Sequence, residues 1–272
     1  MQELIDRALA EDLGAHDLTS EAVVPLAARA RAVIDQRSEG TIAGLRAAES
    51  VFRRLDLGLR WHARVEEGRW RDGGLVAEVA GPARAILAGE RVALNFLQHL
   101  SGVASLTARF VAAVDGTGVR ILDTRKTTPG LRALEKEAVL AGGGHSHRAG
   151  LFDALLIKDN HLALTDGAGE AVARALAAAP AGVEVQVECA TLAQVEEALA
   201  AGAGSILLDN MGAPELRLAV ERNVGRAVLE ASGGVTLASV REIAETGIDR
   251  ISVGALTHSA PALDLGLTLE PL

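Results

Sequence analysis

Six short apolar runs in the second half of this chain each stop at a polar residue able to do chemistry. Residues 119–122 precede Asp123, Thr124, Arg125 and Lys126; residues 154–157 precede Lys158, Asp159 and Asn160; residues 183–187 precede Glu188. Residues 205–208 then precede Asp209 and Asn210, residues 227–229 precede Glu230 through Gly234, and residues 250–253 precede Gly254. Runs rich in Leu and β-branched residues, with helical patterns after most of them, predict parallel strands. Parallel α/β barrels present their active sites at the strand ends, so this pattern constrains fold and function together. Glu188, Asp209 and Glu230 are spaced 21 residues apart, about one compact βα unit. Stretches 192–201 and 237–246 supply intervening helices, and the Ala-biased stretch 171–181 reads as helix and loop. The long first connection, from Asp123 to Lys158, predicts an active-site loop holding Gly142, Gly143 and Gly144. An incomplete or distorted barrel is expected rather than a regular eight-stranded one.

The first part of the chain has another rhythm. Gln2–Leu13 carries Leu4, Ile5, Ala8, Leu9 and Leu13 at helical spacing, with Gly14 as the stop. Arg29–Gln36, residues 59–65 and residues 75–80 read as strands, with a helix at Leu45–Leu55 and a turn at Asp72, Gly73 and Gly74. That mixture predicts an antiparallel sheet with helices beside it. A long helical stretch follows over 89–114, with an expected interruption at Ser101, Gly102 and Val103. The domain change is placed near residue 100.

The balance of the 272 residues is acidic, with a net charge of −9, which argues against a nucleic-acid or anionic-membrane surface. Positive side chains that cluster against this background imply a small anionic ligand. Aromatics make up 2% of the chain, so recognition must rest on charge, backbone amides and shape. The single cysteine, Cys189, fits a reducing compartment and no intrachain disulfide. Residues 1–13 mix acids with apolar residues, unlike a signal peptide, and no apolar run is long enough to span a bilayer. A cytoplasmic protein is expected.

Three sets of residues carry the chemistry. Arg125, Lys126, His147, Arg148 and Lys158 form a cationic set; a lone Arg or Lys is ordinarily a solvated surface charge, but these share positions after predicted strands and a glycine-rich loop. Arginine forks pair with carboxylate or phosphate, and lysine supplies a point charge. Lys158 taken alone could instead be a Schiff-base nucleophile. Glu188 and Asp209 form an acidic set that could hold hydrated Mg²⁺, directly or through water, or stabilise positive charge on a sugar carbon. Each could equally pair with a barrel cation. Ser232, Gly233 and Gly234, with Thr236 as a helix N-cap, and then Val253, Gly254 and Ala255, form two strand-end loops suited to a phosphate. His147 is the histidine best placed to position a substrate, ahead of His145 and His161, and Asn160 reads as a turn cap.

Together these residues resemble the quinolinate phosphoribosyltransferase family. The resemblance runs nearly end to end: Glu11-Asp12-Leu13-Gly14 with Asp17-Leu18-Thr19; Glu90-Arg91-Val92-Ala93-Leu94-Asn95-Phe96-Leu97 with Ser101-Gly102-Val103-Ala104; Asp123-Thr124-Arg125-Lys126-Thr127; His147-Arg148-Ala149-Gly150-Leu151; Ile157-Lys158-Asp159-Asn160-His161; and Ser232-Gly233-Gly234-Val235. Ser146, before the His-Arg pair, departs from the Asn expected there. The resemblance implies an α/β protein with an N-terminal α/β sandwich (1–100), an open, irregular seven-stranded α/β barrel (101–256), and a C-terminal segment (257–272) returning to the first domain. It implies transfer of phosphoribosyl from phosphoribosyl pyrophosphate to quinolinate with decarboxylation, giving nicotinate mononucleotide, pyrophosphate and CO2 in de novo NAD synthesis. It also implies a homodimer with shared sites, which could assemble into a hexamer, Arg91 reaching the partner's site. Arg125, His147, Arg148 and Lys158 would surround quinolinate, with Thr124 and Lys126 beside them and Lys126 near the ribose pyrophosphate. Lys126, Glu188 and Asp209 would be catalytic, Glu188 and Asp209 facing ribose and Mg²⁺. Ser232, Gly233 and Gly234 with Val253, Gly254 and Ala255 would hold the 5-phosphate. A Schiff-base aldolase and a phosphometabolite sensor are the rival readings of the same residues; a molybdenum-associated paralogue shares the fold.

Overall fold

The computed structural model describes residues 1–272, which separate into two compact units. The first contains Met1–Ala108, Pro129–Gly143 and Ser259–Leu272; the second contains Arg109–Thr128 and Gly144–His258.

The first unit holds helices α1 (Gln2–Leu13) and α2 (Leu18–Val23), strands β1 (Arg29–Gln36) and β2 (Gly40–Thr41), and helix α3 (Leu45–Leu55). Strands β3 (Arg60–Ala63), β4 (Trp70–Arg71) and β5 (Gly74–Pro82) follow, then α4 (Ala83–Ala113), in which the boundary between units falls. The main sheet is antiparallel, in the order β12-β1-β5-β3, where β12 is Leu265–Pro271 near the C-terminus. Helix α3 illustrates the local logic: Leu45, Ala48, Val51 and Phe52 are buried at helical spacing. Arg53 and Arg54 in its last turn oppose the helix dipole.

Helix α4 is continuous, which corrects the break expected at Ser101, Gly102 and Val103. Glycine and serine weaken an isolated helix, but packing within the unit overrides that preference. Ser105 Oγ donates to the Ser101 carbonyl at 2.6 Å, Ser101 Oγ donates to the Ala43 carbonyl at 3.1 Å, and Ser105 Oγ accepts the Thr41 amide at 2.8 Å. Gly102 lets the backbone carbonyl of Pro261 approach so closely that a Cβ would collide with it. The break-forming residues are the docking residues.

The second unit holds six parallel strands: β6 (Arg120–Leu122), β7 (Leu155–Ile157), β8 (Val185–Cys189), β9 (Ser205–Asp209), β10 (Val228–Ser232) and β11 (Arg250–Ser252). Their order is β6-β11-β10-β9-β8-β7. Helices α6 (Asp159–Leu162), α7 (Ala168–Ala178), α8 (Leu192–Ala200), α9 (Ala213–Asn223), α10 (Val240–Ala244) and α11 (Ala255–His258) alternate with them. All six predicted runs are strands. The seventh expected strand is absent as such: His145 makes one parallel bridge to Leu122, exchanging backbone hydrogen bonds with Ile121 and Asp123 at the free edge of β6. The connection read as a loop also holds a helix, α5 (Arg132–Ala141), which packs within the first unit. The core strands are buried on both faces, as in β9, where Ser205 through Leu208 are all buried. No helix is long and apolar enough to cross a membrane.

Candidate active site

A parallel sheet brings every strand's C-terminal end to one edge, and the strand order decides which chemistries become neighbours. Along that edge of the second unit, Asp123 through Lys126 leave β6, Val253 and Gly254 leave β11, and Ser232, Gly233 and Gly234 leave β10. Asp209 closes β9, Glu188 lies next to the end of β8, and Lys158 follows β7. Cations therefore stand at both ends of the row, and glycine loops and acids stand between them. The His145 bridge adds His147 and Arg148 beyond β6.

The contacts are specific. Thr257 Oγ1 donates to the Lys126 carbonyl at 2.8 Å, and a Cβ on Gly254 would lie 3.2 Å from Lys126 Cδ, so these two loops touch. The Lys126 amide donates to Thr124 Oγ1 at 3.0 Å, tightening the turn after β6. The Ser232 carbonyl accepts the Asn210 amide at 2.8 Å, and a Cβ on Gly233, at φ 96°, would collide with the Asn210 side chain and lie 2.9 Å from its backbone nitrogen. Only glycine suits that position. Lys158 Nζ donates to Glu188 Oε2 at 2.6 Å. Burial, and then the neighbouring charge of Arg125, lower the Arg148 pKa from its ordinary value. A cavity of about 520 Å³ is lined by Glu188 and Asp209 with Asp159, Gln194 and Glu197.

For Glu188 the alternative of pairing with a barrel cation is the one seen, with Lys158. Other expectations change. The β10 strand runs on through Ser232, so Glu230 sits inside the sheet, fully buried, and not at a strand end. Thr236 does not cap a helix directly after the glycines; it exchanges hydrogen bonds with Ser239 in a turn, and the five-residue α10 begins at Val240. His161, not Asn160, closes the turn after β7, its Nδ1 accepting the Lys158 amide at 2.8 Å. Arg91 is an exposed residue of α4 in the first unit. Cys189 is fully buried and its thiol is pushed up to about 12, chiefly by desolvation, so it is inert.

Sequence reasoning missed Gln186, and named Asp123 and Glu230 only as polar residues ending apolar runs, without a role for either. Gln186 Nε2 donates to Glu230 Oε2 at 3.0 Å, and Gln186 Oε1 lies 3.1 Å from His147 Nε2. Asp123 Oδ1 accepts the His147 amide at 2.8 Å. The available signal was polarity inside apolar runs, at Gln186 within 183–187 and at Glu230 after 227–229.

Models of the two domains of quinolinate phosphoribosyl transferase match residues 17–101 (N-terminal domain) and 103–268 (C-terminal domain). The chain belongs to the quinolinate phosphoribosyl transferase family. Among its relatives is the probable carboxylating nicotinate-nucleotide pyrophosphorylase of Bacillus subtilis (strain 168), 41% identical over 98% of this chain and 92% of that one. The carboxylating nicotinate-nucleotide pyrophosphorylase of Mycobacterium leprae (strain TN) is 43% identical over 98% and 96% of the two chains. The crystal structure of NadC from Streptococcus pyogenes superposes with a TM-score of 0.95 at 39% identity, covering 99% of this chain and 96% of that one. The six-stranded parallel sheet with a separate N-terminal sheet is thus the architecture of this transferase family.

Proposed function

We propose that the C-terminal edge of the second unit's sheet is where quinolinate meets phosphoribosyl pyrophosphate. The reaction is the family's: phosphoribosyl passes to the ring nitrogen of quinolinate, pyrophosphate leaves, and the adjacent carboxyl is lost as CO2, giving nicotinate mononucleotide for NAD synthesis. The observation that supports the residue assignment is the strand order, with Arg125 after one edge strand, Lys158 after the other, and acids and glycine loops between them. A dianionic pyridine needs several cations held in one place, and this edge supplies them in an acidic protein.

Arg125, Arg148 and Lys158 take the two carboxylates, with His147 in the same wall and Thr124 shaping the turn. Lys126, touching the Gly254 loop, lies on the phosphoribosyl pyrophosphate side. Ser232, Gly233 and Gly234 with Val253, Gly254 and Ala255 cradle the 5-phosphate through backbone amides. As the C1–O bond to pyrophosphate breaks and the ring nitrogen bonds C1, positive charge grows on the ribose. Glu188 and Asp209, which line one cavity, stabilise that charge. The C2–carboxylate bond then breaks, CO2 leaves, and the electron pair that stays on C2 is stabilised by the adjacent quaternised nitrogen until a proton takes it. Positioning and electrostatics supply the catalysis.

The donor set suits Mg²⁺, because Glu188 and Asp209 offer hard oxygens at one cavity and no group of three or more His, Cys, Asp or Glu is arranged to hold a metal unaided. Such an ion would be shared with the pyrophosphate, whose leaving charge it would neutralise. Arg91, exposed on α4, is assigned to the site of a second copy of the chain, making the working unit a homodimer.

The test is direct. The purified protein with quinolinate, phosphoribosyl pyrophosphate and Mg²⁺ should release nicotinate mononucleotide and CO2 in equal amounts, and absence of the nucleotide refutes the assignment. Arg148→Ala should raise the KM for quinolinate far more than that for phosphoribosyl pyrophosphate; equal losses would remove it from the carboxylates.

A further inference from the structure

A fully buried carboxylate inside a parallel strand is costly, and β10 would be expected to carry Val or Leu at Glu230. Glu230 is 0% exposed. Its Oε2 accepts from Gln186 Nε2 at 3.0 Å, while its Oε1 accepts no hydrogen bond and stands 3.5 Å from His147 Nε2. On the other side of that imidazole, Nδ1 accepts the backbone amide of Arg148 at 2.8 Å.

These contacts run in one direction only. A backbone amide can donate but not accept, so Nδ1 carries no proton and the ring proton sits on Nε2. Nε2–H then points at Gln186 Oε1, 3.1 Å away, and at Glu230 Oε1. The Gln186 amide must therefore turn its NH2 toward Glu230. The carboxylate, which only accepts, fixes the sense of the whole chain from Arg148 through His147 and Gln186 to Glu230. Asp123, also fully buried, holds the other end of the His147 backbone by accepting its amide at 2.8 Å. What this chain anchors is the backbone of Arg148, whose guanidinium is partly buried, donates to the Ala154 carbonyl at 3.3 Å, and is opposed by the charge of Arg125.

We propose that Glu230 is a positioning residue: acting through Gln186 and the Nε2–H tautomer of His147, it fixes the backbone of Arg148 and thereby the aim of its guanidinium. His147 is then a link in the wall of the site, its ring nitrogens engaged by protein groups. The inference rests on the assignment of Arg148 to a quinolinate carboxylate.

The test uses two readouts. In full-length protein with ¹⁵N-labelled histidine, with His147 assigned by comparison with His147→Asn, long-range ¹H–¹⁵N correlation should show the Nε2–H tautomer for His147. Glu230→Gln, which keeps the shape and removes the obligate acceptor, should weaken that tautomer's dominance. It should raise the KM for quinolinate about 10- to 100-fold while the KM for phosphoribosyl pyrophosphate and the melting temperature change little. Gln186→Met interrupts the same chain without altering charge, should give the same split, and serves if Glu230→Gln does not fold. An Nδ1–H or doubly protonated His147 in the unaltered protein overturns the inference. So does an unchanged quinolinate KM, or equal rises in both KM values with a loss of stability. The tautomer readout needs no turnover, so a failure of the assigned reaction would be seen separately from a failure of the relay.

Discussion

Each unit buries a glutamate within a strand, and the two are handled in opposite ways. Glu78 of the first unit, on β5, is gripped by two guanidiniums, Arg31 at 2.5 Å and Arg64 at 2.8 Å. Hydrogen bonds from Arg64 and then Arg31 hold its carboxyl below the ordinary carboxylate range. Glu230 of the second unit is met by an amide and an imidazole, leaving one oxygen without a hydrogen bond. A doubly paired carboxylate is a finished structural contact. A half-satisfied one inside a sheet destabilises the fold and is retained where it orients something else. The same contrast runs through the two units: in the first, polar groups complete the packing, whereas in the second they stand ready at strand ends.

The contrast predicts that substitutions in the second unit act on kinetics and those in the first on stability. The largest effect should come from Lys158→Ala, which strips Glu188 of its 2.6 Å partner and the site of a cation. We expect kcat/KM to fall roughly 100-fold with the fold intact by circular dichroism; a tenfold larger loss of stability than of activity would break the comparison. Gly233→Ala comes next, because its Cβ would strike the Asn210 side chain from a backbone at φ 96°. The KM for phosphoribosyl pyrophosphate should rise by at least about tenfold, with the quinolinate KM little moved. Steady-state kinetics in each substrate separate the two.

In the first unit, Gly102→Ala forces a methyl group against the Pro261 carbonyl. Unfolding in urea should show about 1–3 kcal/mol lost, with kinetic constants of the folded protein unchanged. The smallest effect belongs to Glu78→Gln. Because the folded pKa of Glu78 lies below its unfolded value, its contribution is present above the ordinary carboxylate range and disappears as pH falls through the folded value. Melting temperatures of the two proteins should differ at pH 7 and converge in acid, and a gap that widens on acidification would contradict the pairing.

Much of this was legible in the residues because the signals are local. A parallel strand buried on both faces reads as an apolar run, and all six were visible; α1, β1 and α3 match their sequence patterns residue for residue. Failures came where distant partners decide. The Ser101–Gly102 break is absent because Ala43, Thr41 and Pro261 supply partners from far along the chain. Helix α5 was hidden in a connection that looked like a loop, although Leu134, Ala138 and Val139 are buried. Pairing of Glu188 with a barrel cation was an open alternative, but nothing nearby in sequence singles out Lys158, 30 residues earlier, as the partner.

The amino-acid order by itself determined which residues carry charge, which runs become strands, and that each strand ends in chemistry, since side-chain type and periodicity are properties of short segments. Only the tertiary structure decided that β11 and β10 fall between β6 and β9, which places the glycine loops among the acids and flanks them with cations. It alone turned Glu230 from a spacing marker into the buried end of a hydrogen-bond chain. Strand order and burial depend on which distant segments pack together, and no local pattern encodes that choice.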